Sequence, residues 1–231
     1  MNNQTTLPFP PVEYMALVCG LELSVPELLK EFEGTEHWHV DLLEKQQFLG
    51  ENIRFLDIGC GCGRLARRLV HKPLASYTGF DRHSGMIDWC SREISSRAPK
   101  FQFLYFSIKS GYETIDQQVG EHDASTFKFP FGAGSFDRIF LASVFTHMSF
   151  REVSNYLSEI YRMLSPSGKV LFTVFFSETE DEVSYNGIDF YLPKEQFHNE
   201  LRALNFDYKM VGTTGAHHWY VLEAISEFPC A

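Results

Sequence analysis

The sequence predicts an α/β fold: a doubly wound, mostly parallel sheet with helices on both faces. From about residue 52 onward, apolar strand-like runs alternate with segments that have the apolar period of amphipathic helices. Near the C-terminus, two strands follow one another with only a short link between them. Such strands pair antiparallel more easily than parallel, because a parallel return needs a crossover. We therefore expect one reversed strand near the end of the sheet.

Composition narrows the class of protein further. The chain has 231 residues, 44% of them hydrophobic, and 20 basic against 30 acidic side chains give a net charge of −10. The apolar content excludes a mostly disordered chain, and the acidic balance disfavours a nucleic-acid partner. The longest strongly apolar run, residues 170–176, is too short to cross a bilayer, so we expect no membrane partner. An odd number of cysteines and no signal-peptide pattern at the N-terminus predict the cytoplasm.

The individual elements follow from local patterns. Runs rich in apolar, β-branched and aromatic residues predict strands over 53–58, 77–80, 101–106, 136–142, 169–176, 206–211 and 219–225. Helical periodicity predicts helices over 64–70 and 84–96, a third helix after the capping box of Ser149 and Glu152, and a fourth beginning at Pro193. Residues 1–50 are expected to form a helical cap or lid, and 51–231 the main domain. Two segments without clear periodicity remain: residues 109–135 and the acidic, polar loop 177–191.

Three alternate glycines between the first strand and its helix are the most informative feature. Gly59, Gly61 and Gly63 let the backbone approach a ligand closely at the carboxyl edge of the sheet. Asp81 ends the next strand, 81 − 63 = 18 residues after the last glycine. A carboxylate at that place can accept hydrogen bonds from two ribose hydroxyls, so the ligand is expected to contain a ribose.

Two residues favour one ribose ligand over another. The dinucleotide fingerprint has glycine at its sixth position, where this chain has Arg64. Asp57, two residues before the first glycine, would repel a pyrophosphate but suits an ammonium or sulfonium group. These residues favour S-adenosylmethionine, which carries both cations and no phosphate, over NAD.

The sequence resembles the class I S-adenosylmethionine-dependent methyltransferases over roughly residues 52–225. The resemblance lies in FLDIGCGCGRLARRL (55–69), YTGFDRHSGMI (77–87), FPFGAGSFDRIFLASVFTHM (129–148) and YRMLSPSGKVLFTVF (161–175). It implies a Rossmann-like sheet of seven strands with the last strand antiparallel. It also implies a cofactor site made of Asp57, Gly59, Cys60, Gly61, Gly63, Asp81, Arg82, Met86, Ser107, Ile108, Ala142 and Ser143.

The resemblance assigns these residues to parts of the cofactor. Asp57 and the glycine loop would hold the methionine portion, Asp81 the ribose, and Arg82 with Met86 the adenine. Ala142 and Ser143 would border the methionine tail and the transferring methyl. Members of the family often have an aspartate after the third strand that accepts from the adenine amino group. Here that position is Ser107, followed by Ile108, and Asp123 is the alternative match.

His147, just after the fourth strand, is the candidate catalytic base, because histidine titrates near neutral pH. The alternative is a histidine that hydrogen-bonds the loop or the cofactor region. Cys60 and Cys62 lack a second cysteine pair or a nearby histidine, so no metal site is expected. We expect a methyltransferase that acts on an oxygen or nitrogen of a small molecule. The alternative is a non-catalytic or repurposed protein that binds the cofactor without methyl transfer.

Overall fold

The computed structural model describes residues 7–19, 22–111, 113–179, 181, 183–185 and 188–225. Cys230 and two acidic residues of the predicted polar loop, Glu180 and Glu182, lie outside the described residues. The described chain forms two compact units. The first contains the described parts of Met1–Ile53 and Cys60–Phe106, and the second contains Arg54–Gly59 and the described parts of Ser107–Ala231.

Strands and helices alternate along most of the chain, as the sequence predicts. The strands are β1 Arg54–Ile58, β2 Ser76–Asp81, β3 Phe101–Tyr105, β4 Phe136–Leu141, β5 Leu164–Ser177, β6 Val183–Tyr185, β7 Asp189–Pro193, β8 Phe206–Thr214 and β9 His217–Ala224. The α-helices are α1 Val12–Cys19, α2 Val25–Lys45, α3 Arg64–Leu69, α4 Ser84–Cys90, α5 Glu113–Asp116, α6 Phe150–Met163 and α7 Lys194–Ala203. A π-helix, Ser91–Ser95, continues α4, and a 3₁₀ turn, Phe145–His147, follows β4.

The first unit joins the N-terminal helices to the helix that follows the glycine loop. Glu36 of α2 has no exposed surface and accepts hydrogen bonds from Arg67 and Arg68 of α3. Arg67 also donates to the carbonyl of Leu7, at 3.1 Å. A buried carboxylate needs such partners, because an unpaired buried charge is strongly destabilising. Strands β2 and β3 pair in parallel in the same unit. That 1–50 forms a cap or lid stays a prediction.

The second unit contains the reversed strand. In it β1 pairs with β4 and β4 with β5, all in parallel. Strand β9 runs antiparallel to both β5 and β8. Strand β8 therefore runs in the same direction as β1, β4 and β5, and β9 is the reversed strand among these five. The predicted α/β class, with a mostly parallel sheet and one antiparallel strand near its end, is confirmed.

Two short strands add to the seven that the sequence predicts. Strand β7 pairs in parallel with the end of β5, where Tyr191 lies opposite Phe175, and β6 pairs antiparallel with β7. Both strands come from the segment that we predicted as a polar loop. A three-residue strand and a five-residue strand that starts with aspartate and ends with proline lack the apolar alternation that identifies strands.

The predicted capping box of α6 is present, since the backbone N–H and hydroxyl of Ser149 both donate to Glu152 Oε2, at 2.7 and 2.8 Å.

Two element boundaries differ from the prediction. Strand β5 begins directly after α6, at Leu164 instead of Lys169. Pro193 does not lie within the first turn of α7: it ends β7 and is the N-cap of the helix, with an extended ψ of 114°. None of the helices within the described ranges is long and apolar enough to cross a membrane.

Candidate functional site

The loop between β1 and α3 adopts a backbone that requires its glycines. Gly59, Gly61 and Gly63 have φ angles of 72°, 54° and 73°, in the left-handed region that residues with a Cβ rarely adopt. A Cβ on Gly59 would also lie 2.5 Å from Cγ2 of Val144. The residue itself is exposed, so its bare backbone is accessible to a ligand. The predicted close approach of backbone and ligand therefore fits the conformation of the loop.

Asp81 lies against the glycine loop, and its contact with a ribose stays a prediction. Asp81 Oδ2 accepts the backbone N–H of Gly61 and Oδ1 accepts that of His83, both at 2.8 Å. Desolvation by the surrounding protein raises the pKa of the Asp81 carboxyl, and the two backbone hydrogen bonds oppose that rise. A carboxylate oxygen has more than one lone pair, so each oxygen can still accept a hydroxyl.

The residues that follow Asp81 pack against the N-terminal helices. His83 caps α4, since its Nδ1 accepts the backbone N–H of Met86 at 3.3 Å, and its ring meets Tyr14 edge-on at 5.3 Å. Met86 is only 4% exposed and belongs to an apolar cluster with Met15 and Phe32. Arg82 is half-buried. Contact of Arg82 or Met86 with adenine stays a prediction.

The cysteines of the loop are packed in the interior. Cys60 and Cys62 are 6% and 0% exposed. Burial raises the pKa of Cys62 to about 12, so its thiol is protonated at neutral pH. A Cβ on Gly79 would lie 2.9 Å from the sulfur of Cys60, which shows how closely that side chain packs on β2. Within the described ranges, no three or more His, Cys, Asp or Glu side chains are grouped so that they could hold a metal ion.

The two candidates for the adenine contact are neighbours in the structure. Ile108 forms a parallel β-bridge with His122, so Ser107 and Asp123 lie on adjacent backbone segments. The hydroxyl of Ser107 accepts the N–H of Glu121 at 3.1 Å. The carboxylate of Asp123 accepts both the N–H and the hydroxyl of Ser125, and these hydrogen bonds lower the pKa of Asp123. Which of the two contacts adenine stays open.

The end of β4, in the second unit, carries strained backbone. Ala142 is half-buried, and Ser143 has a φ of 55°, a conformation that costs about 1 kcal/mol or more in a non-glycine residue. The N–H of Ser143 donates to the hydroxyl of buried Thr173 at 2.7 Å, which fixes this conformation. Asp57 of β1, 3% exposed, lies in register opposite Phe140 of β4. Non-glycine residues in such strained conformations cluster at functional sites.

Two histidines lie beyond the end of β4. His147 Nδ1 is 3.2 Å from both the carbonyl oxygen of Ile188 and Oδ1 of Asp189. His217 Nε2 is 3.1 Å from the hydroxyl oxygen of Ser143. Burial lowers the pKa of both imidazoles below the ordinary value of 6.5, so both are neutral at pH 7. We refer to Ser143, His147, Asp189 and His217 as the histidine cluster.

Sequence reasoning identified only part of the histidine cluster. Ser143 and His147 follow a strand directly, and that position singled them out. His217 has no motif around it, and Asp189 belongs to the acidic, polar segment 177–191, so neither is singled out by its sequence context. Nothing local in the sequence connects Asp189 to His147, since the pairing of β7 with β5 brings them together.

The sequence profile of a family described as methyltransferase domain matches residues 56–172, which is half of the chain. Malonyl-(acyl-carrier protein) O-methyltransferase of Priestia megaterium is 25% identical over 140 residues. Demethylmenaquinone methyltransferase of Thermus thermophilus is 28% identical over 123 residues. The matched segments make up 59% and 53% of this chain but 42% and 47% of the two relatives, so the chain spans about half of their lengths.

A solved structure supports the same fold. The structure of an S-adenosylmethionine-dependent methyltransferase from Aquifex aeolicus superimposes with a TM-score of 0.54 at 17% identity. The superposition covers 93% of this chain and 98% of the other.

Proposed function

The chain belongs to the class I S-adenosylmethionine-dependent methyltransferase family, with S-adenosylmethionine as cofactor, and we propose that it transfers the methyl group of this cofactor to an oxygen or nitrogen of a small molecule. The observation that carries this proposal is the state of His147. Its Nδ1 faces two acceptors, so Nδ1 carries the ring hydrogen and Nε2 holds the lone pair of a base. Hydroxyl and amine acceptors lose a proton on methylation, and a neutral imidazole can take it.

The glycine loop and Asp81 are the proposed cofactor site. S-adenosylmethionine has a ribose and two cationic groups, and it has no phosphate. Asp81, already 2.8 Å from the N–H of Gly61, is proposed to accept from the ribose hydroxyls. Asp57 is buried at the end of β1, where a carboxylate favours a nearby ammonium. The backbone of Gly59, Cys60, Gly61 and Gly63 is proposed to hold the methionine portion.

Methyl transfer to an oxygen or nitrogen requires mainly that the acceptor and the methyl group be aligned, and that one group accept a proton. When bound, the cofactor supplies an electrophilic methyl group on a positively charged sulfur. Ala142 and Ser143, at the end of β4, are proposed to border that methyl. Orienting the two reactants can account for several kcal/mol of barrier reduction. His147 then takes the acceptor's proton at Nε2, while Nδ1–H remains hydrogen-bonded to Ile188 and Asp189.

Further observations support a small methyl acceptor and a location in the cytoplasm. One relative is named for methylating demethylmenaquinone, a small molecule, and the other as an O-methyltransferase of a malonyl group carried by a protein. A net charge of −10 disfavours a nucleic-acid acceptor. The cysteines within the described ranges, Cys19, Cys60, Cys62 and Cys90, are free thiols, as the reducing cytoplasm favours.

A labelled-methyl experiment tests the proposal. The protein is incubated with S-adenosylmethionine carrying a carbon-13 methyl and with fractionated small-molecule extracts, and the products are analysed by NMR and mass spectrometry. We expect an O-methyl or N-methyl signal in one compound class and an equivalent amount of demethylated cofactor. Label on carbon or in a macromolecule would contradict the proposed acceptor. Cofactor binding with no transfer to any fraction would support the non-catalytic alternative.

A further inference from the structure

The histidine cluster contains one carboxylate, that of Asp189, which lies 3.2 Å from Nδ1 of His147. We propose that Asp189 is a positioning residue, which holds the imidazole of His147 in the tautomer and orientation needed for a base. This inference rests on the proposed role of His147. It assigns a task to β7, a strand that begins in the segment predicted as an acidic, polar loop.

The hydrogen-bond geometry determines which ring nitrogen is protonated. The Ile188 carbonyl and the Asp189 carboxylate lie 3.2 Å from Nδ1 of His147, and both groups are acceptors only. Nδ1 must therefore be the donor, and the lone pair of the neutral ring is on Nε2. Two acceptors on one nitrogen also restrict rotation of the ring. A carboxylate that orients a histidine in this way is a recurrent arrangement in acid–base catalysis.

The backbone of Asp189 is itself fixed by strand pairing. Asp189 begins β7 and lies opposite Tyr185 of β6, and two residues later Tyr191 pairs with Phe175 of β5. The ring of Tyr191 stacks on that of Phe175 with centroids 5.0 Å apart. The carboxylate is therefore attached to a strand that packing holds in register. A group on regular structure positions its neighbour more precisely than a group on a free loop.

Exposure and charge fit a positioning role better than a structural ion pair. The side chain of His147 is 16% exposed and that of Asp189 is 46% exposed, so the carboxylate keeps its contact with solvent. Burial lowers the pKa of His147 and Asp189 opposes that effect, while His217 lowers it further. His217 in turn interacts with Asp189 and His218. An unopposed desolvation would make His147 too weak a base to take a proton near neutral pH.

Nitrogen-15 NMR of the histidine rings tests the proposal without any methyl acceptor. The variants are Asp189→Asn and, as matched control, Asp181→Asn, which removes an exposed carboxylate from the same segment. Signals are assigned with His147→Gln and His217→Gln. We expect wild-type His147 in the Nδ1–H tautomer and, in Asp189→Asn, a lower pKa of His147, because the carboxylate that raises this pKa is gone. His198, which hydrogen-bonds the Tyr220 hydroxyl, serves as internal reference and should not shift.

Kinetics with an identified acceptor provide the second readout. Asp189→Ala should lower kcat by about tenfold, with the KM for the cofactor within about twofold, and Asp189→Asn should move the acidic limb of the pH profile to lower pH. An Nε2–H tautomer in the wild type, or an unchanged His147 pKa in Asp189→Asn, would overturn the proposal. Because the NMR result does not need turnover, a failure of the proposed function remains distinguishable from a failure of this inference.

Discussion

The glycine loop with Asp81 and the histidine cluster hold their polar groups in different ways. In the first region, the carboxylate of Asp81 accepts hydrogen bonds from two backbone N–H groups, that of left-handed Gly61 and that of His83. In the second, side chains from separate elements meet: Ser143 and His217 are 74 residues apart in the chain. Backbone geometry suits the recognition of a fixed ligand, whereas imidazoles can change protonation state. We therefore expect that substitutions can disrupt cofactor binding and proton transfer separately.

The largest expected effect is in the backbone of the glycine loop. Gly59→Ala should lower the free energy of unfolding by about 2–4 kcal/mol and abolish detectable cofactor binding, because it adds a left-handed strain and a steric clash. The new methyl would lie 2.5 Å from Val144, whose branched side chain has little freedom to move. Denaturant unfolding and calorimetric titration with S-adenosylmethionine measure the two quantities.

Two other glycines separate strain from clash. Gly134 has a φ of 64° with nothing within 4 Å of an added Cβ, so Gly134→Ala should show the strain alone. Gly34 lies within α2 with open space around it, so Gly34→Ala should stabilise the protein by about 0.5–1 kcal/mol. If Gly59→Ala lowered the free energy of unfolding no more than Gly134→Ala does, the predicted steric clash with Val144 would be contradicted.

A smaller effect is expected at Asp81. Asp81→Ala should weaken cofactor binding by about 1–3 kcal/mol, because it removes the charged acceptor that also holds the N–H of Gly61. Asp81→Asn keeps one acceptor oxygen and should weaken binding less. Isothermal titration measures both, with Asp88→Asn, an exposed carboxylate on α4, as the control. Equal affinities for wild type and Asp81→Ala would remove Asp81 from the cofactor site.

The smallest effect concerns pH and belongs to the histidine cluster. At saturating cofactor, kcat should rise with pH through the pKa of His147 and then stay level, because only the neutral ring accepts a proton. Since burial lowers that pKa, the midpoint should lie below pH 6.5. The measurement is kcat between pH 5 and 8 with the acceptor found by methyl labelling. A midpoint above pH 6.5, or a level profile in His147-intact protein, would argue against His147 as the base.

The part of the molecule that the sequence predicts best is the part built by neighbours in the chain. Gly61, Gly63 and Asp81 lie close together in the sequence, and a hydrogen bond from the N–H of Gly61 to Asp81 connects the loop to the end of β2. Asp189 and His217 reach the histidine cluster only through the pairing of β7 and β9 with β5. That pairing depends on packing over the whole unit, and β7 has an irregular apolar pattern. The burial of Met86 among N-terminal side chains likewise depends on how α1 and α2 pack.

The most direct test of the division between binding and chemistry is a paired measurement on His147→Gln. Turnover of the identified acceptor and the Kd for S-adenosylmethionine are determined on the same preparation, with His198→Gln as a histidine control outside the cluster. We predict a fall in kcat of about 100-fold or more, the contribution of a general base, with the Kd within about twofold of wild type. Full turnover, or a loss of cofactor affinity as large as the loss of turnover, would contradict this account.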